Sequence, residues 1–247
     1  MTLKDFFGQN PKAALAFSGG VDSSYLLYAA LQCGCDVMAY YVKSAFQPQF
    51  EYEDALKLAK DVGAQVRVIE VDILCHENVA LNDAQRCYYC KTQILSSIFS
   101  AAKADGYDLV IDGTNASDDA GDRAGTRALN EMRVKSPLRE CGLTKDSIRA
   151  LSKQAGLFTW DKAAYACLAT RIPTGVAITK HMLSCVEAAE DILFAKGFTD
   201  FRVRTLGDMA RIQLPQEQMP RFMERREEIV AALAPHFTQV LLDMQPR

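Results

Sequence analysis

The chain has 247 residues, of which 49% are hydrophobic and 24% charged, with a formal net charge of −3. That length accommodates one large domain, or a medium and a small one, and the composition is that of an ordinary soluble globular protein. The charge gives no global pull toward nucleic acid or an anionic membrane, and no apolar run is long enough to span a bilayer, so a small-molecule partner is expected.

Met1 to Asn10 has neither the basic start nor the apolar core of a secretory leader, which points to a cytoplasmic protein. Ala13 to Phe17 reads as a first strand, followed by the turn Ser18-Gly19-Gly20 and a helix that begins near Asp22 and contains Tyr25 to Leu31. Cys33 and Cys35, beside a glycine at the end of that helix, look like packing residues. Val37 to Val42 is a second predicted strand, Tyr52 to Val62 a helix with apolar spacing at Ala55, Leu58, Ala59 and Val62, and Gln65 to Val71 a third strand. A helix is expected over Thr92 to Ala104, and Leu109-Val110-Ile111 is a fourth strand running into Asp112-Gly113-Thr114-Asn115. Strands alternating with helices indicate an α/β fold with a parallel sheet. Ligands in such sheets collect at the carboxyl ends of the strands, so Ser18 to Ser23, Lys43-Ser44 and Thr114-Asn115 should converge on one crevice.

Thr144 is the expected N-cap of a helix that has Ser147 in its first turn and ends at Gly156. After an irregular stretch, Leu157 to Gly175, the tail reads as helix (Lys180 to Lys196), strand (Phe201 to Arg204), strand (Met209 to Leu214), helix (Gln216 to Ala234) and strand (Gln239 to Asp243). Two domains are therefore expected: residues 1–175, carrying the parallel sheet, and a smaller C-terminal α+β domain over 176–247.

The first strand–turn–helix junction has the chemistry of a phosphate loop. Gly19 and Gly20 allow close backbone approach, Ser18 and Ser23 offer hydroxyls, and the helix points its unpaired N–H groups at an anion. No Gly-Lys-Ser/Thr follows, so it is not a Walker loop. The plainer alternative is a turn with Asp22 as helix cap.

In the reducing setting of a cytoplasmic protein the eight cysteines are not expected to form a disulfide framework. Cys87-Tyr88-Tyr89-Cys90, between Arg86 and Lys91 and just before the Thr92 helix, could bind metal, react as thiolates, or simply pack. Cys167 lies in the irregular segment near Arg171. Together with Cys87 and Cys90 it would make three thiolates without an obvious fourth, which suits an iron–sulfur cluster with one open iron; three unrelated buried cysteines is the alternative. Arg202 and Arg204 alternate on a predicted strand and project from one face, fit either for a phosphate or carboxylate or for an exposed polar face, and Arg211 could join them. Asp118, Asp119, Asp122 and Arg123 follow the fourth strand and could position magnesium or a ribose, or be a solvated loop. Glu190, on the first tail helix, is a further candidate for the cleft, whereas His76, His181 and His236 show no ligand spacing.

The order S-G-G-x-D-S resembles the PP-loop of the ATP pyrophosphatase superfamily, an adenine nucleotide alpha hydrolase-like fold whose members split ATP between its α- and β-phosphates. Ala16 to Ser24, Arg86 to Lys91, Asp112 to Asn115, Ser136-Pro137-Leu138, Cys167-Leu168-Ala169-Thr170-Arg171-Ile172-Pro173 and Arg202-Val203-Arg204 resemble, in order and over nearly the whole chain, the LarE family of sacrificial sulfur transferases. The resemblance implies that ATP and Mg2+ bind at Ser18, Gly19, Gly20, Asp22, Ser23, Ser24, Ser44 and Asn115, with Asp22 helping to hold magnesium and pyrophosphate. It implies adenylation of the carboxylates of pyridinium-3,5-biscarboxylic acid mononucleotide, then sulfur insertion, in nickel-pincer nucleotide cofactor biosynthesis. The sulfur would come from sulfide on a 4Fe-4S cluster held by Cys87, Cys90 and Cys167, or from Cys167 itself. Arg202 and Arg204 would take the substrate phosphate, and the tail domain would mediate homo-oligomer contacts. Thr170 stands where the family often has serine, and Thr174 where an aromatic is common. The rival readings are a PP-loop tRNA thiolase, which should show a basic RNA-binding surface, an amidating ligase, which would have no use for Cys167, and a nucleotide- or iron–sulfur-binding protein without turnover.

Overall fold

The computed structural model describes residues 1–118 and 123–247, the side chain of Arg123 excepted; the candidates Asp119 and Asp122, and the side chain of Arg123, lie outside the described residues. In chain order the first elements are α1 (Leu3–Gln9), β1 (Lys12–Ala16), α2 (Val21–Gln32), β2 (Asp36–Lys43), α3 (Gln49–Asp61), β3 (Gln65–Glu70), α4 (Glu77–Ala80), α5 (Arg86–Ala104) and β4 (Val110–Asp112). There follow α6 (Arg123–Glu131), α7 (Pro137–Glu140), α8 (Lys145–Gln154), α9 (Lys180–Ala195), β5 (Arg202–Leu206), β6 (Met209–Gln213), α10 (Met219–Glu224), α11 (Arg226–Leu233) and β7 (Gln239–Leu242).

The chain divides into two compact units, residues 1–73 with 87–164 and residues 74–86 with 165–247. The division thus falls after residue 164, where the sequence suggested 175, and the shorter unit also takes a segment from upstream. Hydrophobic patterning along the chain carries no mark of such a discontinuous assignment, because 74–86 is held by polar bonds described below.

In the larger unit a four-stranded sheet has the order β3-β2-β1-β4, with every pair parallel. β1 shows why: Ala13, Ala14 and Leu15 are all fully buried, since a central parallel strand is covered on both faces. Ala13 and Leu15 enter one core with residues of α2 and α3 such as Leu26, Leu27, Ala55 and Leu58, while Ala14 enters the other with Tyr40, Val110, Ile98 and Ala102. This is the two-residue alternation of a strand. Two departures from the sequence reading occur here. α5 starts at Arg86 rather than Thr92, because its apolar stripe (Leu95, Ile98, Ala102) begins only in the later turns. α1 was not anticipated, although Thr2 and Asp5 form a reciprocal capping box and Phe6 and Phe7 are buried.

In the smaller unit the sheet order is β5-β6-β7; β5 and β6 are antiparallel, β6 and β7 parallel. The β5–β6 hairpin turns through Gly207-Asp208, with Gly207 at φ +60°, the position where a two-residue hairpin favours glycine. Val203, Ala210 and Ile212 of the sheet and Leu183, Val186, Ala189 and Leu193 of α9 are buried. The helix expected over Gln216 to Ala234 is broken into a 3-10 turn, α10 and α11; Pro220 sits in the first turn of α10, where its missing N–H costs nothing, and the backbone leaves the helical region at Arg225. Among the described residues no helix is long and apolar enough to cross a membrane.

Candidate functional site

Gly19 is held at φ +74°, and a Cβ there would stand 2.7 Å from the Ala55 Cβ, so α3 packs directly on the loop that follows β1. Gly113, after β4, is equally constrained: a Cβ would stand 2.8 Å from the Ser23 amide nitrogen. The loops that follow β1 and β4 therefore meet at the carboxyl edge of the sheet, and glycine is what permits the approach. α2 has Gly20 at its N-cap and no side-chain cap, which leaves its first-turn N–H groups for an anion. Within the loop the Ser18 and Ser23 hydroxyls lie 3.0 Å apart, and Ser23 also donates to the Gly20 carbonyl at 3.2 Å.

Three polar atoms of this region are buried without a hydrogen-bond partner: Asp22 Oδ1, Ser24 Oγ and Asn115 Nδ2. Buried polar groups are rarely orphaned in this way, and a ligand or ion commonly satisfies those that are. The rest of the region is tightly wired. Asn115 Oδ1 accepts from the Ser117 and Asp118 amides at 2.7 and 3.1 Å, and Asp112 accepts from the Thr114 and Ser136 hydroxyls at 2.5 and 2.6 Å. Ser44 is turned to its own loop, donating to Gln47 Oε1 at 2.7 Å and accepting from the Phe46 amide at 3.2 Å. Lys162 bonds Asp54 and Glu51 of α3 at 2.7 and 3.2 Å and so fixes the helix that abuts Gly19; burial pushes the Glu51 carboxyl up, and Lys162 opposes it.

Sequence reasoning missed Lys145. Its ammonium donates to Asp22 Oδ2 at 2.5 Å, from the first position of α8, directly behind the Thr144 cap. A lysine in the first helical turn sits at the wrong end of the helix dipole. That misplaced charge, in Leu143-Thr144-Lys145, is the signal that could have found it. The carboxylate oxygen left open on Asp22 suits Mg2+, which takes one or two protein carboxylates and fills its remaining positions with water and phosphate.

The smaller unit builds a second constellation. Cys167 is the N-cap of a 3-10 turn, Leu168–Arg171, and its carbonyl accepts from the Thr170 amide and hydroxyl at 3.0 and 2.8 Å. Three guanidinium groups bind the carbonyls around it: Arg171 to Ala166 at 3.2 Å, Arg86 to Ala169 at 3.0 Å and Arg204 to Thr170 at 2.6 Å. Arg171 is fully buried and paired with Glu190 at 2.7 Å; Glu190 also accepts from the Val203 amide at 3.0 Å and the Tyr165 hydroxyl at 2.5 Å. Burial, followed by Glu190, pushes the Tyr165 phenol up and keeps it a donor. The guanidinium groups of Arg171 and Arg202 lie 4.7 and 5.3 Å from the Tyr165 ring centre. Burial first, and then Arg171 and Arg247, pushes Arg202 down to about 10. Arg204 spends donors on Gln213 and Thr170, yet a guanidinium has five.

Cys87 and Cys90 occupy the first turn of α5, three residues apart and hence on one face, rather than preceding the helix. Cys87 is exposed; Cys90 and Cys167 are half-buried. The two cysteines of α5 belong to the larger unit and Cys167 to the smaller. Among the described residues no group of three or more His, Cys, Asp or Glu is gathered for a metal. Two thiols on one turn supply two of the three ligands of such a cluster site, and Cys167, the third candidate, belongs to the smaller unit.

No family model matches the chain. It is 33% identical over 236 residues, 94% of this chain and 86% of the other, to the pyridinium-3,5-bisthiocarboxylic acid mononucleotide synthase of Lactiplantibacillus plantarum. The chain belongs to the LarE family. An uncharacterised protein of Synechocystis is 36% identical over 223 residues, 90% of this chain and 83% of that one. A tRNA-specific 2-thiouridylase of Fervidobacterium nodosum is 27% identical over 126 residues, 41% of this chain and 36% of that enzyme. The LarE and thiouridylase relatives are both sulfur-transferring enzymes by name, and the sheet described above is the PP-loop fold.

Proposed function

We propose that this LarE-family protein is an ATP-dependent sulfur transferase that acts on pyridinium-3,5-biscarboxylic acid mononucleotide in nickel-pincer nucleotide cofactor biosynthesis. The observation that carries the reading is the open Asp22 Oδ1 beside Lys145 in a PP-loop whose Ser24 and Asn115 also present orphaned polar atoms. ATP binds with its phosphates over Ser18, Gly19, Gly20 and the first turn of α2, Ser23 and Ser24 included, with Ser44 and Asn115 at the border of the site. Asp22 would hold Mg2+, which would supply positive charge to offset that of the phosphates. A substrate carboxylate oxygen attacks the α-phosphorus, the bond to the β-phosphate oxygen breaks, and pyrophosphate leaves. Lys145 turns from Asp22 to the departing pyrophosphate, whose negative charge it offsets. Sulfur then attacks the acyl carbon, and AMP carries away the oxygen and the electron pair of the broken bond.

Arg202 and Arg204 take the substrate phosphate, in keeping with the guanidinium groups of Arg171 and Arg202 that share the Tyr165 ring. Glu190 keeps Arg171 in place beneath the Cys167 turn. The C-terminal part of the chain supplies homo-oligomer contacts, and the protein works in the cytoplasm. Cys87, Cys90 and Cys167 would hold a 4Fe-4S cluster, which would supply sulfide as the sulfur donor; the pairing of Cys87 and Cys90 on one helical turn supports this source. The second reading, sacrifice of the Cys167 sulfur, is favoured by the half-buried Cys167 standing at the cap of a turn built wholly within the smaller unit.

Anaerobic purification with iron and sulfide analysis separates the two donors. Iron and labile sulfide that vanish in Cys87→Ala support the cluster, whereas an iron-free active protein that converts Cys167 to dehydroalanine, seen by mass spectrometry, supports sacrifice. If anaerobic protein given ATP and the biscarboxylate nucleotide releases no pyrophosphate, the whole reading fails.

A further inference from the structure

The segment 74–86 enters the smaller unit through a polar staple centred on Asn82. Asn82 is fully buried and sits at φ +56°, a left-handed conformation that asparagine tolerates better than most residues. Its side-chain Nδ2 donates to the carbonyls of Pro173 and Val176 at 2.8 and 2.9 Å, and its own carbonyl accepts from the Gly175 amide at 2.8 Å. Two residues upstream the Ala80 carbonyl accepts from the Ile178 amide at 2.8 Å. The remaining side-chain atom, Oδ1, accepts from Arg86 Nη1 at 2.5 Å, and the same Arg86 nitrogen donates to the Ala169 carbonyl at 3.0 Å. Every polar atom of the Asn82 side chain is therefore spent on the loop 172–176 or on Arg86.

Arg86 is buried, and a buried guanidinium is costly unless each contact is satisfied, so its geometry is stiff. Its position in the chain gives that stiffness a consequence. Ala169 is two residues past Cys167, inside the 3-10 turn that Cys167 caps. The residue after Arg86 is Cys87, and the chain leaves the smaller unit at that peptide bond. One side chain thus holds the turn that carries Cys167.

We propose that Arg86, oriented by Asn82, is a positioning residue that sets the presentation of the Cys167 thiol. The proposal deepens the sulfur-transfer reading and rests on it for its purpose, but it is tested without ATP or substrate, so the two can fail separately. Arg86→Met removes the donors and keeps much of the stem; Arg86→Lys keeps a charge and a donor but loses the planar fork. The test measures iodoacetamide alkylation of Cys167 by peptide mass spectrometry, with the buried Cys185 as internal control. Loss of a charged hydrogen bond should raise the Cys167 rate about tenfold in Arg86→Met, with Arg86→Lys between it and the parent and Cys185 unchanged. Hydrogen exchange of the Thr170 amide, which donates to the Cys167 carbonyl, should quicken in the same order.

A folded Arg86→Met protein whose Cys167 and Thr170 behave as in the parent overturns the proposal, as does a rise at Cys185 equal to that at Cys167, which would mean general loosening. If Arg86→Met does not fold, Arg86→Lys decides alone: a selective rise at Cys167 supports the role, and parental rates sink it. Pyrophosphate release by the parent protein stands apart from all of these outcomes.

Discussion

Each unit contains an ion pair at its candidate site, and the two are built in opposite ways. Lys145 and Asp22 meet at 2.5 Å with their side chains 34% and 20% exposed, and Asp22 keeps one carboxylate oxygen unbonded. Arg171 and Glu190 meet at 2.7 Å with 0% and 2% exposed, and both Glu190 oxygens accept further bonds, from Val203 and Tyr165. A partly solvated pair with one carboxylate oxygen unbonded costs less to exchange: magnesium can take the carboxylate and a phosphate the ammonium. A buried and fully bonded pair cannot be exchanged without stranding a charge. The first pair is suited to work in a catalytic cycle, and the second to hold the Cys167 turn still.

The sharpest way to break this contrast is to remove Glu190. Glu190→Ala leaves the buried Arg171 guanidinium, the Val203 amide and the Tyr165 hydroxyl without their acceptor, and should lower unfolding free energy by about 3–5 kcal/mol. Urea denaturation measures it, and a loss under about 1 kcal/mol would show that the pair is as exchangeable as the other. Lys145→Met should do the reverse. Stability should change little, because the pair is partly solvated, whereas pyrophosphate release should slow about ten- to a hundredfold, the value of a lost charged hydrogen bond. Lys145→Arg keeps the charge and should recover part of the rate. Unchanged pyrophosphate release in Lys145→Met would leave that pair a surface ornament. Gly113→Ala is smaller in stability, about 1–3 kcal/mol, since the new Cβ must push back the Ser23 backbone. It should weaken ATP binding beyond that loss by shifting the loop, which calorimetric titration with ATP would read.

How legible these features were in the sequence follows from the range of the forces that make them. The four parallel strands and α2, α3, α8 and α9 were readable because an apolar period or a capping residue announces each locally, as Ala55-Leu58-Ala59 and Thr144 do. The loop glycines were readable because a tight strand-to-helix turn favours them, and Gly19 at φ +74° against Ala55 shows the constraint. The start of α5 was missed because Cys87 to Lys91 bears no apolar stripe, and α1 because its capping box precedes only seven helical residues. Glu190 could be named only as a candidate, since its partner Arg171 is nineteen residues away and charge pairing has no period. The allegiance of 74–86 to the smaller unit rests on Asn82 and Arg86, whose partners are more than eighty residues distant. Lys145 was visible in principle, as a cation at the wrong end of a helix.

That last feature yields the smallest and most discriminating prediction. Thr144 accepts from the Ser147 amide at 3.3 Å and so holds the first turn of α8 in the geometry that points Lys145 at Asp22. Thr144→Ala should cost about 1 kcal/mol of stability, the usual worth of an N-cap, and Thr144→Ser, which keeps the hydroxyl, a few tenths at most. If Lys145 acts on the departing pyrophosphate, fraying the turn that carries it must also slow pyrophosphate release, in Thr144→Ala but not in Thr144→Ser. The Thr144→Ala defect should disappear in the Lys145→Met background, because the cap then positions nothing that takes part in the reaction. Additive rate losses in the double variant would mean that cap and lysine act independently, and would remove the link between the helix terminus and the exchangeable pair.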